Sequence, residues 1–242
     1  MPRKNDQLDD WMPDSRRDQR RSSREVSRGV RNPSKKSKPV KGLKLRIIGG
    51  DFRGRPVAYH GANFTRPMQD KTRESLFNIL GRRVRGTQVV DLFGGTGVLA
   101  IESVSRGATS ATVVEQNTRA AETIRSTTEK LGIASRVHVV TGDAFRVGPP
   151  LLDHSAEPED VMPAPKVVYF CPPYAMWVEA TERLFSLLRT AIDHCPMGSV
   201  LVTESDRDFD PESLPGRGWD LRRYGSTTLG FYEPAKICGG DL

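Results

Sequence analysis

Val89-Val90-Asp91-Leu92-Phe93-Gly94-Gly95-Thr96-Gly97 is an apolar run that ends in an acid and passes at once into a glycine loop, with helix-like residues 98–106 behind it. Glycines let backbone approach a ligand closely, and the N-terminus of the following helix presents free N–H groups. Gly95-x-Gly97-x-x-Ala100 fits a dinucleotide-binding spacing, although a tight strand-to-helix turn would give the same letters. Outward from this stretch the texture repeats. Strand-like runs at 89–93, 111–115, 137–141, 167–171 and 200–203 alternate with helix-like segments at 98–106, 118–131 and 177–194. The strands are nearly continuous in apolar character, as in a parallel sheet covered on both faces. The prediction is a doubly wound, Rossmann-like α/β sheet. Residues 220–224 and 227–232, about Gly225-Ser226, read as an antiparallel hairpin closing one edge.

Upstream, 43–48 partly alternates, Gly49-Gly50-Asp51 is a turn and 55–59 can pair back, predicting a small basic β-hairpin. Asp70 is placed to cap a helix over 71–80 with apolar face Leu76, Phe77, Ile79 and Leu80, which leaves Arg66, Lys71 and Arg73 facing away from the core. Residues 1–40 hold too few apolar side chains to offset ordering entropy and read as disordered. Three segments result: a basic tail at 1–42, a hairpin-and-helix extension at 43–86 and the sheet domain at 87–242.

The net charge of +7 is unevenly placed. Residues 1–46 carry fifteen basic and six acidic side chains, a balance of +9, whereas 86–242 stand at −7. Such asymmetry is an electrostatic footprint for a polyanion, of which nucleic acid is the commonest in a cytoplasm. A solubilising tail would share it. Cys171, Cys195 and Cys238 match no paired zinc spacing and suggest a reducing compartment, so neither a disulfide framework nor a metal site is expected. The apolar runs are too short to cross a bilayer and the N-terminus is charged where a signal peptide would be apolar, so the expected location is the cytoplasm.

In an open α/β sheet, ligands bind at the carboxyl ends of the strands. The glycine loop after Asp91 is the first informative end. The second is Glu115, 18 residues after Gly97, where a carboxylate can accept both hydroxyls of a ribose or simply cap a helix. Third, Gly142-Asp143-Ala144 offers an acceptor for an adenine amino group, or an ordinary Asx turn. The fourth is Cys171-Pro172-Pro173-Tyr174: two prolines remove two donors, and an aromatic ring follows, which suits a planar base with an exocyclic amino group.

Together these ends resemble the amino-methylating S-adenosylmethionine-dependent methyltransferases of class I. Leu45-Arg46-Ile47-Ile48-Gly49-Gly50, Arg53-Gly54-Arg55, Thr65-Arg66-Pro67, 73–80, Asp91-Leu92-Phe93, 101–108 and Tyr224-Gly225-Ser226-Thr227 resemble the RsmD family, over roughly 43–233. That resemblance implies methyl transfer from S-adenosylmethionine to the exocyclic N2 of a guanine in 16S rRNA, within an assembling small subunit, by a monomer. It implies cofactor contacts from Asp91, Phe93, Gly94, Gly95, Gly97, Glu115, Asp143 and Ala144. The flipped base would be held by Cys171, Pro172, Pro173 and Tyr174, with phosphates met by Arg46, Arg53, Arg55, Arg66 and Arg73.

Cys171 departs from the family, which has Asp or Asn there. A thiol is a weak acceptor for the target amino group. Three alternatives follow: a catalytically impaired RNA-binding homologue, a pyrimidine C5 methyltransferase with Cys171 as nucleophile, and, on the glycine spacing alone, an NAD-dependent dehydrogenase.

Overall fold

Alternate residues of each strand point to opposite faces, and here both faces are apolar. Val89, Val113, Val167, Tyr169, Val200 and Val202 enter one core cluster, while Val90, Leu92, Val114, Val168, Phe170 and Leu201 enter a second. A sheet with two apolar faces must be covered on both. The computed structural model describes residues 45–59, 67–153 and 163–234. The predicted tail, Arg66 and the start of the hairpin lie outside these residues.

The elements in chain order are α1 (Asp70–Leu80), β1 (Gln88–Asp91), α2 (Val98–Ser105), β2 (Ser110–Glu115), α3 (Thr118–Leu131), β3 (Val137–Thr141), α4 (Ala144–Leu152), β4 (Lys166–Phe170), α5 (Met176–Glu179), α6 (Thr181–His194), β5 (Val200–Asp206), β6 (Asp220–Tyr224) and β7 (Thr227–Tyr232). The sheet has seven strands in the order β3-β2-β1-β4-β5-β7-β6. β1 to β5 are parallel, and β7 runs antiparallel between β5 and β6. Helices α1, α2 and α3 contribute Leu76, Phe77, Ile101, Val104 and Ile124 to the first cluster. The second is filled from α4 and α6 by Leu152, Leu184, Leu187 and Leu188, with Trp177. This is the expected doubly wound sheet with its C-terminal hairpin. Strand order reverses between β1 and β4, so a cleft opens where their carboxyl ends diverge.

The N-terminal hairpin is shorter than predicted: a single antiparallel bridge joins Arg46 to Pro56. Its packing compensates for its length. Leu45, Ile47 and Val57 are buried in the first cluster, and the turn docks on the end of α2 through Asp51 N–H to Ser105 O (2.8 Å) and Phe52 N–H to Ser105 Oγ (2.9 Å).

The structure corrects four expectations. Gln69, not Asp70, occupies the N-cap position of α1, without a side-chain capping bond, and Asp70 is the first helical residue, accepting instead from Arg73 at 3.0 Å. Arg73 does not face away from the core; it is fully buried and therefore cannot meet a phosphate. Its guanidinium is consumed by Glu102 Oε2 (3.1 Å), Met68 O (3.2 Å), Arg46 O (2.8 Å) and Asp70. The helix expected over 177–194 is two, α5 and α6, because Ala180 leaves helical geometry at φ −133°. Helix α4 has no counterpart in the sequence pattern, since Pro149 and Pro150 obscure it; they sit near its C-terminal end, and Asp143 caps its start by accepting from Phe145 N–H at 3.0 Å.

Candidate active site

The strand ends converge as the topology requires. Asp91, Phe93, Gly94, Gly95, Glu115, Cys171, Pro172, Pro173 and Tyr174 line one cavity of about 230 Å3, together with Pro67, Met68, Thr96, Val98, Leu99 and Glu204. Gly97, Asp143 and Ala144 are not in its wall, nor are the arginines.

Asp91 ends β1 as a buried side chain, and its Oδ1 has no hydrogen-bond partner among the described residues. Such a group is costly unless a ligand answers it. Its carboxyl is pushed up to about 7, chiefly by burial, against the lowering effect of the Phe93 N–H and with a further upward push from Glu115. The loop beyond it is shaped for close approach: a side chain at Gly94 would meet Val113 Cγ1 at 2.4 Å, and Gly97 sits at φ +70° against Ile124. Glu115 braces this loop, accepting Gly95 N–H on Oε2 (2.6 Å) and Asn117 N–H on Oε1 (2.7 Å). About two of its roughly four acceptor sites remain for hydroxyls. A buried acid with one unpartnered oxygen, a glycine cradle and a second acid at the next strand end fit a ligand with a cationic group and a diol.

Asp143 reaches the cavity through a relay of side chains. It accepts from Arg183 at 3.2 Å, the Arg183 guanidinium lies 3.9 Å from the Phe145 ring centre, and Phe145 meets cavity-lining Phe93 edge-on at 6.2 Å.

On the opposite wall the chain turns sharply after β4. Pro173 O accepts Met176 N–H at 2.8 Å and so starts α5. Cys171 is half-buried; its thiol is held well above the ordinary range, first by burial and then by the carboxylates of Glu204 and Asp91. A nucleophilic thiolate needs cationic surroundings, the reverse of this. Tyr174 donates its hydroxyl to Glu204 Oε1 (3.0 Å) and lies 3.3 Å from Thr227 Oγ1. Trp177 Nε1 donates to Glu204 O (2.8 Å). Glu204 escapes the sequence pattern because the apolar run of the fifth strand stops at 203; β5 runs three residues further, and a strand-end acid is the signal that would have found it.

Arg46, Arg53 and Arg55 are exposed. Arg46 lies 3.8 Å from Asp70, and Arg55 donates to Lys130 O at 3.2 Å. Among the described residues no helix is long and apolar enough to cross a membrane.

The family model described as "Conserved hypothetical protein 95" matches residues 45–233. The Bacillus subtilis (strain 168) protein YlbH, provisionally named an rRNA methyltransferase, is 30% identical over 197 residues, covering 78% of this chain and 98% of that protein. Ribosomal RNA small subunit methyltransferase D of Haemophilus influenzae is 29% identical over 190 residues, covering 78% and 92%. Among solved structures, the Escherichia coli protein yhhF, provisionally named a methyltransferase, superposes with a TM-score of 0.60 at 26% identity, over 79% of this chain and 98% of that one. A match across nearly all the described residues, on a sheet of this order, assigns the fold to the class I methyltransferases. The chain belongs to this family, that of the RsmD-type methyltransferases.

Proposed function

We propose that this protein transfers a methyl group from S-adenosylmethionine to the exocyclic N2 of a guanine in 16S rRNA, acting as a cytoplasmic monomer on an assembling small subunit. The observation that carries the reading is the unpartnered Oδ1 of the buried Asp91 carboxyl, in the wall of a cavity also lined by Cys171 to Tyr174. The donor supplies a methyl group on a positively charged sulfur. Asp91 would hold its ammonium group, Glu115 its ribose hydroxyls and the Gly94–Gly97 loop its backbone-facing edge, with Asp143 and Ala144 toward the adenine. Pro172, Pro173 and Tyr174 would form the shelf for the flipped base, so that its amino nitrogen meets the methyl carbon by alignment rather than covalent chemistry. Exposed Arg46, Arg53 and Arg55, with Arg66 and the tail at 1–42, would contact phosphates without reading sequence.

The test incubates the protein with labelled cofactor and small subunits lacking the modification, and maps the label by mass spectrometry. Label on guanine N2 is the expected result. Label on a cytosine would favour C5 chemistry, against which the protonated Cys171 already stands. The thiol at 171 also favours a second reading, an impaired homologue that binds cofactor and RNA without transfer, and tight S-adenosylhomocysteine binding with no label would select it. NAD binding in place of S-adenosylhomocysteine would overturn both.

A further inference from the structure

Position 171 poses a chemical question. An exocyclic amino group is a poor nucleophile because its lone pair is delocalised into the ring, and an acceptor that takes a hydrogen bond from it localises the pair. A neutral thiol does this poorly. Phe170 pairs with Thr203 in parallel register, so the next pair along sets Cys171 beside Glu204, at the ends of adjacent strands, and both residues line the cavity. Of the three carboxylates lining that cavity, Asp91 and Glu115 end β1 and β2, on the side of the glycine loop. Glu204 stands across Cys171 from them, on the side of Tyr174.

Glu204 is held in place by Trp177 Nε1 on its carbonyl (2.8 Å), by the Tyr174 hydroxyl on Oε1 (3.0 Å) and by its own backbone N–H on the Cys171 thiol. A carboxylate offers about four acceptor sites, of which the Tyr174 hydroxyl takes one. Tyr174 is also the ring on which the base would rest, so its hydroxyl aims the acid at the shelf it belongs to.

We infer that Glu204 supplies the acceptor missing at Cys171: its carboxylate hydrogen-bonds the target amino group, turns the nitrogen lone pair toward the methyl carbon and takes the proton that the nitrogen sheds. The inference rests on the amino-methylation reading above. As the nitrogen–carbon bond forms, the sulfur–carbon bond of the donor breaks with its electron pair left on sulfur, and one N–H proton passes to Glu204. No further reactant is needed.

The experiment compares wild type, Glu204→Gln, Glu204→Ala, Tyr174→Phe and Glu204→Ala/Cys171→Asp. It measures single-turnover methylation of unmodified small subunits and S-adenosylhomocysteine affinity by calorimetry. Glu204→Ala should slow transfer by about 10²-fold or more, the usual worth of a positioned acid or base, with cofactor affinity unchanged. Glu204→Gln keeps an acceptor but not a base, so its rate should fall less and, with cofactor saturating at every pH so that Asp91 ionisation does not limit binding, lose the acidic limb of the wild-type pH profile. Adding Cys171→Asp to Glu204→Ala should recover at least about tenfold of the lost rate, an order of magnitude within that same range. Glu204→Ala with near-wild-type transfer would overturn the inference. So would a Tyr174→Phe variant showing the same loss and an unchanged pH profile in Glu204→Gln, since Glu204 would then only anchor the tyrosine. A wild type that binds cofactor and transfers nothing, or that labels any position other than an exocyclic nitrogen, defeats the underlying reading. Failure of that reading therefore shows in the wild-type product, and failure of the inference alone shows only in the variants of a wild type that labels an exocyclic nitrogen.

Discussion

Burial holds the Asp91 carboxyl at about 7, so near neutrality the site exists in two protonation states. Only the ionised one attracts an ammonium group. S-adenosylhomocysteine affinity should therefore rise with pH up to about 7 and level off above it, with proton release on binding at about pH 6 measurable by calorimetry in buffers of different ionisation enthalpy. Asp91→Asn should weaken binding and remove the pH dependence. The same shift has the opposite sign for the ligand-free fold. Between about pH 4 and 7 the native carboxyl keeps its proton while the unfolded one has lost it, so stability falls as pH rises through this window, by roughly 4 kcal/mol in all. Chemical denaturation of Asp91→Asn at about pH 4 and about pH 7.5, either side of that window, should show the fall abolished. Asp91 and Glu115 are legible as strand-end acids because the apolar runs before them are unmistakable. The unanswered Oδ1 is not, because it depends on how neighbouring strands wall the residue in.

At the scale of elements, α1 and the hairpin show how one arginine among several acquires a different fate. Arg73 falls at i−3, i−4 and i−7 from Leu76, Phe77 and Leu80, all buried on the stripe that faces the sheet. That spacing is visible in the sequence, yet a charge on an apolar stripe reads as misplaced until its partner is known. The partner, Glu102 on α2, is fully buried and held also by Arg106 at 2.8 Å, whose guanidinium caps the Phe77 ring at 4.5 Å. Removing one member of such a group strands the others, so Arg73→Ala should cost about 3–5 kcal/mol in urea unfolding. Replacing Arg46, Arg53 and Arg55 together with Ala should leave stability within about 1.5 kcal/mol. It should also weaken RNA binding and reduce the slope of log affinity against log salt by about 0.7–0.9 for each phosphate that the variant no longer neutralises. Equal destabilisation by both sets would refute the distinction between a structural and an interfacial arginine.

For the whole molecule the charge of +7 divides into a strongly basic N-terminal stretch and an acidic sheet domain. Deleting residues 1–40 should lower RNA affinity and flatten its salt dependence while leaving S-adenosylhomocysteine binding unchanged, as filter-binding and calorimetry would show. The doubly wound sheet, the C-terminal hairpin and three of the strand-end acids are written in the order of residues, because they follow from period, apolar run length and turn chemistry, all local properties. The burial of Arg73, the helix over Ala144–Leu152 and the meeting of Glu204 with Cys171 and Tyr174 are settled by packing instead. The arginine and the glutamate owe their surroundings to segments tens of residues away, and the helix forms despite prolines that mask its local signal. Only when β5 is laid beside β4, with Phe170 level with Thr203, does an acid from one strand stand at the thiol of the other.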